Sequence, residues 1–246
     1  MPDYTPTPEE EKLLREYYPD QAGRESAVLR LAAGEPMAYI IGEQAFFGEI
    51  YTVRPGVLIP RFDTERVVEK VIALLPEGGH FADLCTGSGC IAISTLVHRP
   101  DATADAYELS DAALRCAREN AERLDVTERL TLRRADVTDP ALYETLGGCD
   151  LIVSNPPYIP TAECAALDDS VKHEPLMALD GGEDGMRFYR AILSGMTGAG
   201  LRIPVVFEIG YDRADAIGAL ADEFGAAAKL YRDWGGNWRT AVIEFK

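Results

Sequence analysis

Basic residues are scarce in this sequence. Twenty-four Lys and Arg stand against 41 Asp and Glu, for a net charge of −17, and no basic run is longer than Arg133-Arg134. Binding a phosphate backbone draws on clustered Lys and Arg, so direct contact with nucleic acid is not expected, while a protein presenting a basic face stays compatible. Only three histidines occur, His80, His98 and His173. None has metal-ligand spacing to a partner, and no metal site is expected. The five cysteines (Cys85, Cys90, Cys116, Cys149, Cys164) are odd in number and include no Cys-x-x-Cys pair, the usage of a reduced, cytoplasmic protein. No apolar run reaches transmembrane length and the N-terminus shows no signal pattern, so no membrane association is expected.

What is present is enough for one α/β core and a small accessory region: 246 residues, 47% of them hydrophobic. Thr7-Pro8-Glu9-Glu10 reads as a capped helix start, with a helix to about Tyr18 broken by Pro19 and Gly23, and a second helix over about 21–33 ending at Gly34. Two helices cannot form an independent core and should dock on the remainder of the chain. Residues 44–60 read as a β-hairpin or extended pair, 46–53 against 55–59. From 61 onward a helix over about 63–75 leads into alternating elements. Strands fall near 80–84, 103–107, 129–133, 149–153 and 201–208, with helices near 90–98, 111–124, 139–146, 184–198 and 212–224. Such alternation predicts a parallel sheet covered on both faces. Two last strands, near 226–232 and 238–245, are joined by Trp234-Gly235-Gly236-Asn237, a signal for a terminal antiparallel hairpin. The division is thus a helical region over 1–43, a hairpin linker over 44–60 and a main domain over 61–246.

The most informative stretch is Leu151-Ile152-Val153-Ser154-Asn155-Pro156-Pro157-Tyr158, an apolar strand running into Asn-Pro-Pro-Tyr. Asn and Pro are common turn residues, so a plain strand-closing turn is one reading. The other is a clamp for a planar, amide-type nitrogen, whose delocalised lone pair must be turned toward an electrophile. The Asn155 side-chain carbonyl can accept an N–H of such a group while its NH2 donates to the neighbouring carbonyl. Pro157 has no N–H, which frees the Pro156 carbonyl of one competitor, and the two rings stiffen the pair. Tyr158 adds an aromatic face on which a planar group can lie.

Upstream, His80 to Ile93 reads as a short strand, the small-residue loop Thr86-Gly87-Ser88-Gly89, and a buried helix. Glycines there let backbone approach a ligand, and helix N–H groups can receive a carboxylate or hydroxyl. The next strand ends in Glu108, placed to accept ribose hydroxyls. A lone Gly-Ser-Gly suits a nicotinamide dinucleotide as well as S-adenosylmethionine, but nicotinamide chemistry gives no reason for Asn-Pro-Pro-Tyr at the end of the fourth strand. The long connection from Ile159 to Glu183 comes directly after the clamp at the carboxyl end of the sheet, where ligands bind, and is the candidate substrate rim.

These stretches together make the chain resemble the release-factor glutamine-N5 methyltransferases, the HemK-type family, over about residues 30–246. Matching segments include Gly34-Glu35-Pro36-Met37-Ala38-Tyr39-Ile40, Val57-Leu58-Ile59-Pro60-Arg61, Asp63-Thr64-Glu65, His173-Glu174-Pro175 and Gly181-Gly182-Glu183-Asp184-Gly185, beside the glycine loop and the Asn-Pro-Pro-Tyr strand. Asn-Pro-Pro-Tyr alone is shared with adenine-N6 and guanine-N2 nucleic-acid methyltransferases; the other segments are more specific. The resemblance implies a seven-stranded, Rossmann-like S-adenosylmethionine-dependent methyltransferase sheet ending in an antiparallel hairpin. It implies as substrate the glutamine of the Gly-Gly-Gln tip of class I peptide-chain release factors. By position, Asn155 and the Pro156 carbonyl hold the glutamine amide beside Pro157, and Tyr158 and Ile159 shape its slot. Asp83, Thr86, Gly87 and Gly89 form the cofactor loop, Glu108 takes the ribose, Asp136 lies at the adenine edge, and Asn155 also borders the cofactor.

Two departures stand out: Cys85 occupies a position where the family usually has glycine, and the N-terminal helical region is shorter than the family's bundle. The implied chemistry is direct in-line methyl transfer to the glutamine nitrogen, without metal or covalent intermediate, in which orientation supplies on the order of 7–11 kcal/mol. Glu174 is either a base or a loop salt-bridge partner. A nucleic-acid amino methyltransferase with Tyr158 stacking an extruded base, and a non-catalytic adenosyl-binding protein, are the competing readings.

Overall fold

Thr7 accepts from the backbone N–H of Glu10 at 3.2 Å while Glu10 accepts from that of Thr7 at 2.7 Å, a capping box worth about 1 kcal/mol. It starts α1 (Pro8–Tyr17) in the computed structural model, which describes residues 4–246. Asp20 caps α2 (Gln21–Ala32). Gly23, expected to break the chain, instead lies inside α2, because its N–H is the one that the Asp20 carboxylate receives at 2.7 Å. With α3 (Met37–Ile41) these helices share a small cluster of Leu14, Ala27, Leu31 and Ile40. They dock through α3, whose Ala38 and Tyr39 pack on Val53 and Ile59.

The hairpin is tighter than the sequence suggested. β1 (Glu43–Phe46) pairs antiparallel with β2 (Glu49–Thr52) around Phe47-Gly48, and residues 55–59 form no strand. Their apolar side chains pack elsewhere: Val57 lies against Ala113 and Cys116, and Ile59 against Ala38 and Tyr39. A 3-10 turn over Phe62–Thr64 then leads into α4 (Glu65–Leu74).

In the main sheet, alternate side chains enter two cores, as the two-residue period of an extended chain requires. β3 (His80–Leu84), β4 (Thr103–Glu108), β5 (Leu130–Arg134) and β6 (Leu151–Ser154) are separated by α5 (Cys90–His98), α6 (Asp111–Arg123) and a 3-10 segment over Pro140–Thr145. The connection after β6 contains α7 (Thr161–Cys164) and α8 (Asp169–Lys172) and leads to α9 (Arg187–Gly198), β7 (Val205–Glu208), α10 (Ala214–Glu223), β8 (Ala226–Arg232) and β9 (Trp238–Phe245). Ala82, Leu84, Ile152, Val205 and Phe207 face the core covered by α9 and α10. Phe81, Leu151, Val153 and Val206 face the one covered by α4, α5 and the hairpin residues Phe46 and Tyr51. Burying one such aromatic or aliphatic side chain stabilises by about 1.5–3 kcal/mol.

The seven strands run β5-β4-β3-β6-β7-β9-β8. The first five are parallel, and β9 enters between β7 and β8 antiparallel to both. This is the parallel sheet that the alternation predicted, the terminal hairpin that Trp234-Gly235-Gly236-Asn237 signalled, and the seven-stranded Rossmann-like sheet that the resemblance implied. Chain order reverses between β3 and β6, the switch point at whose carboxyl side open α/β sheets hold ligands. Among the described residues, no helix is long and apolar enough to cross a membrane.

Candidate active site

Above that switch point lies a cavity of about 420 Å³, within the size range of small-molecule sites. Residues following β3 (Cys85, Thr86, Gly87, Ser88), β4 (Leu109, Ser110) and β5 (Ala135, Asp136, Val137) form one end, with Glu108 at the tip of β4. Asn155 and Pro157 from the end of β6, with Ile59 to Arg61, Thr64 and Pro175 to Ala178, form the other, while Gly56 and Val57 lie against Ala112 and Ala113 after β4.

The glycine loop is held by carboxylates. Thr86 Oγ1 donates to Asp83 Oδ2 at 2.5 Å and the Ala92 N–H to the same oxygen at 3.3 Å. Asp83 Oδ1 is buried and has no partner among the described residues. Burial pushes the Asp83 carboxyl up to about 7, and the nearby Glu108 charge adds to the rise while the Thr86 and Ala92 bonds oppose it. Glu108 Oε2 accepts the Gly87 N–H at 2.9 Å, and Oε1 accepts those of Leu109 and Ser110 at 2.8 and 2.9 Å. A carboxylate offers about four acceptor sites, so a single site remains for a ligand unless Gly87 yields its bond.

The two loop glycines differ. Gly87 (φ +59) lines the cavity, and a Cβ there would meet nothing within 4 Å. Gly89 (φ +83) does not line it; a Cβ there would fall 2.7 Å from Ile93 Cδ1. Gly89 serves the packing of α5 rather than access to a ligand. Cys85 also has positive φ, +62, a conformation that costs a residue with a Cβ about 1–2 kcal/mol. Cys85 and Cys90 both line the cavity, and burial pushes both thiols up, Cys90 to about 12, leaving them protonated and poor nucleophiles. Asp136 accepts from the Thr138 N–H and hydroxyl at 2.8 and 2.7 Å, and these bonds hold its carboxyl below the usual range.

At the clamp, Asn155 Nδ2 lies 3.5 Å from Thr64 Oγ1. Thr64 in turn donates to Glu208 Oε2 at 2.6 Å, and the Tyr158 hydroxyl donates to Glu208 Oε1 at 3.3 Å. Glu208 is only 2% exposed; burial raises its pKa, against the pull of Thr64, Arg239 and Tyr158. Tyr158 is likewise raised by burial. Pro156, Tyr158 and Ile159 do not line the cavity, and Tyr158 packs its half-buried ring on the core beneath. Ile159 is fixed by backbone, donating to Leu179 at 2.9 Å and accepting from Gly181 at 2.8 Å.

The three residues Asp63-Thr64-Glu65 each tie a different part of the chain. Asp63 pairs with Arg239 at 3.2 Å, Thr64 holds the clamp, and Glu65 receives the Phe47 N–H of the hairpin turn at 2.8 Å. The Gly-Gly-x-Asp-Gly stretch is explained by contact with the clamp backbone. A Cβ on Gly181 would lie 2.7 Å from Tyr158 Cα, and one on Gly185 2.3 Å from the Tyr158 carbonyl oxygen. Glu174 resolves as a tether: it accepts the Ile59 N–H at 2.8 Å and pairs with Arg61, pinning the wall formed by residues 56–61.

Thr64, Glu208 and Arg239 were not singled out individually as site residues from the sequence. Glu208 carried the same signal as Glu108, an acidic residue closing an apolar strand. Thr64 and Arg239 carried none that local reading detects.

Comparison with known proteins bears on the family and the fold. A family model described as the methyltransferase small domain matches residues 63–174. The release factor glutamine methyltransferase of Moorella thermoacetica is 44% identical over 221 residues, covering 87% of this chain and 76% of that protein. That of Caulobacter vibrioides is 41% identical, covering 80% and 68%, and that of Aquifex aeolicus 31%, covering 86% and 75%. Among solved structures, the ribosomal protein L11 methylase of Lactobacillus delbrueckii subsp. bulgaricus superposes with a TM-score of 0.54 at 22% identity, over 79% of this chain and 84% of that one; the likeness is one of fold.

Proposed function

This chain belongs to the release factor glutamine methyltransferase family, and we propose that it methylates the side-chain amide nitrogen (N5) of a protein glutamine, that of the Gly-Gly-Gln tip of a class I peptide-chain release factor. Bound S-adenosylmethionine supplies a methyl group activated on a sulfonium sulfur. The residues present fit such a cofactor. Gly87 opens a wall at which backbone comes close and Glu108 keeps one acceptor site; Asp83 does not line the cavity and serves the site by holding Thr86 and the Ala92 N–H. Asp136 stands at the adenine edge.

One observation carries the reading: Asn155, from a strand adjacent to the glycine loop, lines the same cavity as Gly87 and Glu108. A carboxamide acceptor is thereby set beside the ligand pocket. Asn155 Oδ1 takes one N–H bond of the glutamine amide; the Pro156 carbonyl, which does not line the cavity, is the second acceptor by family resemblance alone. The lone pair is then aimed, and positive charge growing on nitrogen is stabilised by acceptors already in place. Pro157 keeps the turn stiff, and Tyr158 and Ile159 shape the slot from behind. The cavity's thiols are held protonated and Glu174 is consumed as a tether, so no nucleophile or base of the chain is assigned; the extra proton leaves to water.

Incubation with methyl-labelled S-adenosylmethionine tests the assignment against the nucleic-acid alternative. Label should enter a purified class I release factor and not duplex or single-stranded DNA. Label in nucleic acid alone would reject it.

A further inference from the structure

A carboxamide can face either way, and only one way round does Asn155 present an acceptor to the substrate. An asparagine side chain is nearly symmetrical in shape, so packing alone does not choose between its oxygen and its nitrogen. A flipped Asn155 would offer an NH2 to the glutamine NH2, donor against donor.

The chain of bonds beneath Asn155 supplies a direction. Glu208 closes β7 and is 2% exposed. Both of its oxygens are acceptors: Oε2 for the Thr64 hydroxyl at 2.6 Å, Oε1 for the Tyr158 hydroxyl at 3.3 Å. Thr64 is 2% exposed and has one hydrogen to give. Because it goes to Glu208, the Thr64 oxygen toward Asn155 is a lone pair. A lone pair is matched by Nδ2, 3.5 Å away, and repels Oδ1. That distance is at the outer limit for a hydrogen bond, and catalytic contacts of this kind often tighten only when substrate is bound.

We propose that Glu208 and Thr64 are positioning residues that set the hydrogen-bond polarity of Asn155, so that its carbonyl oxygen faces the substrate amide. The proposal rests on the glutamine-methyltransferase reading and adds to it what makes the clamp selective for an N–H donor. Thr64 lines the cavity beside Asn155 and Glu208 lies behind it; each acts on the reaction through Asn155. Tyr158, by sharing the same carboxylate, links the ring that shapes the slot to the same polarity chain. A comparable case is known in which a buried acidic residue fixes the tautomer of a catalytic side chain, and its neutral amide replacement leaves geometry intact while turnover falls.

The test uses the full chain with a release factor substrate and three variants. Thr64→Val keeps the shape and removes the hydroxyl, so Asn155 loses its directional partner. Thr64→Ser restores a hydroxyl. Glu208→Gln allows an NH2 to replace an acceptor at the base of the chain. Turnover at saturating substrates should fall roughly tenfold or more in Thr64→Val, with the cofactor dissociation constant within twofold of wild type by calorimetry and the melting temperature little changed. Thr64→Ser should recover turnover to within about threefold, and Glu208→Gln should resemble Thr64→Val. Equal turnover in wild type and Thr64→Val would overturn the proposal while leaving the methyltransferase reading intact. A parallel loss of cofactor binding and stability, unrelieved by Thr64→Ser, would also overturn it by reducing the pair to a packing contact. A wild-type protein inactive on every glutamine substrate would remove the reading and the proposal together.

Discussion

The two ends of the cavity are held by contacts of very different reach along the chain. At the glycine-loop end, the Thr86 to Asp83 bond spans 3 residues and the Gly87 to Glu108 bond 21. At the clamp, Asn155 to Thr64 spans 91, Thr64 to Glu208 spans 144, and Arg61 to Glu174 spans 113. The first end is a strand, its loop and the neighbouring strand, and persists wherever those two strands pair. The second is correct only when the segment before α4, the end of β6 and the end of β7 have all docked. Disturbance of the fold should therefore reach turnover before it reaches cofactor affinity.

Asn155→Ala should separate the two ends most sharply. Removing one preorganised acceptor should lower methyl transfer by about two to three powers of ten, with cofactor affinity by calorimetry nearly intact. A rate within a few-fold of wild type would return Asn155 to the role of a turn residue. Glu108→Ala should do the reverse, weakening cofactor binding by roughly 1.5–3 kcal/mol, the worth of hydrogen bonds to a charged group, because the ligand loses an acceptor and Gly87, Leu109 and Ser110 lose theirs. Turnover at saturating cofactor should be largely kept. An unchanged dissociation constant would remove Glu108 from the cofactor site.

The same division governs how much of the molecule was legible in its sequence. β3 and α5 fall where apolar runs and their glycine boundaries placed them, since burial on both faces writes itself into consecutive residues; β8, an edge strand with exposed positions, and β9 fall where the Trp234-Gly235-Gly236-Asn237 turn placed them. The loop after β3 and the acidic end of β4 are local patterns and were readable for that reason. Residues 55–59 misled because a Val-Leu-Ile run looks like a strand, whereas these side chains are buried against α3 and α6 with no strand beside them. Thr64 and Glu208 were invisible as partners: their pairing depends on the strand order, which no local window contains.

The loop end can be probed further by pH. The Asp83 carboxyl is raised to about 7 by burial, above its unfolded value near 4. Between about pH 4 and 7 the folded chain holds the extra proton, so this group's contribution falls as pH rises. In the absence of cofactor, the melting temperature of wild type should drop relative to that of Asp83→Asn between pH 5 and about 7.5; parallel curves would show that Asp83 does not titrate in this window. The smallest effect concerns Cys85. Cys85→Gly relieves a positive φ but frees the unfolded chain, a net gain of up to about 1 kcal/mol and a rise of roughly 2–4 °C in melting temperature. A lower melting temperature would mean that the thiol's packing outweighs its backbone strain.

On the proposed function, the clamp at the end of β6 acts on a glutamine amide. Mass spectrometry of the tryptic peptide that carries the Gly-Gly-Gln tip, after reaction of a class I release factor with this protein and S-adenosylmethionine, tests it most directly. One added methyl group, localised by fragmentation to the glutamine side chain and absent with Asn155→Ala, is the predicted result; an unmodified tip peptide beside methylated adenine or guanine in added nucleic acid would contradict it.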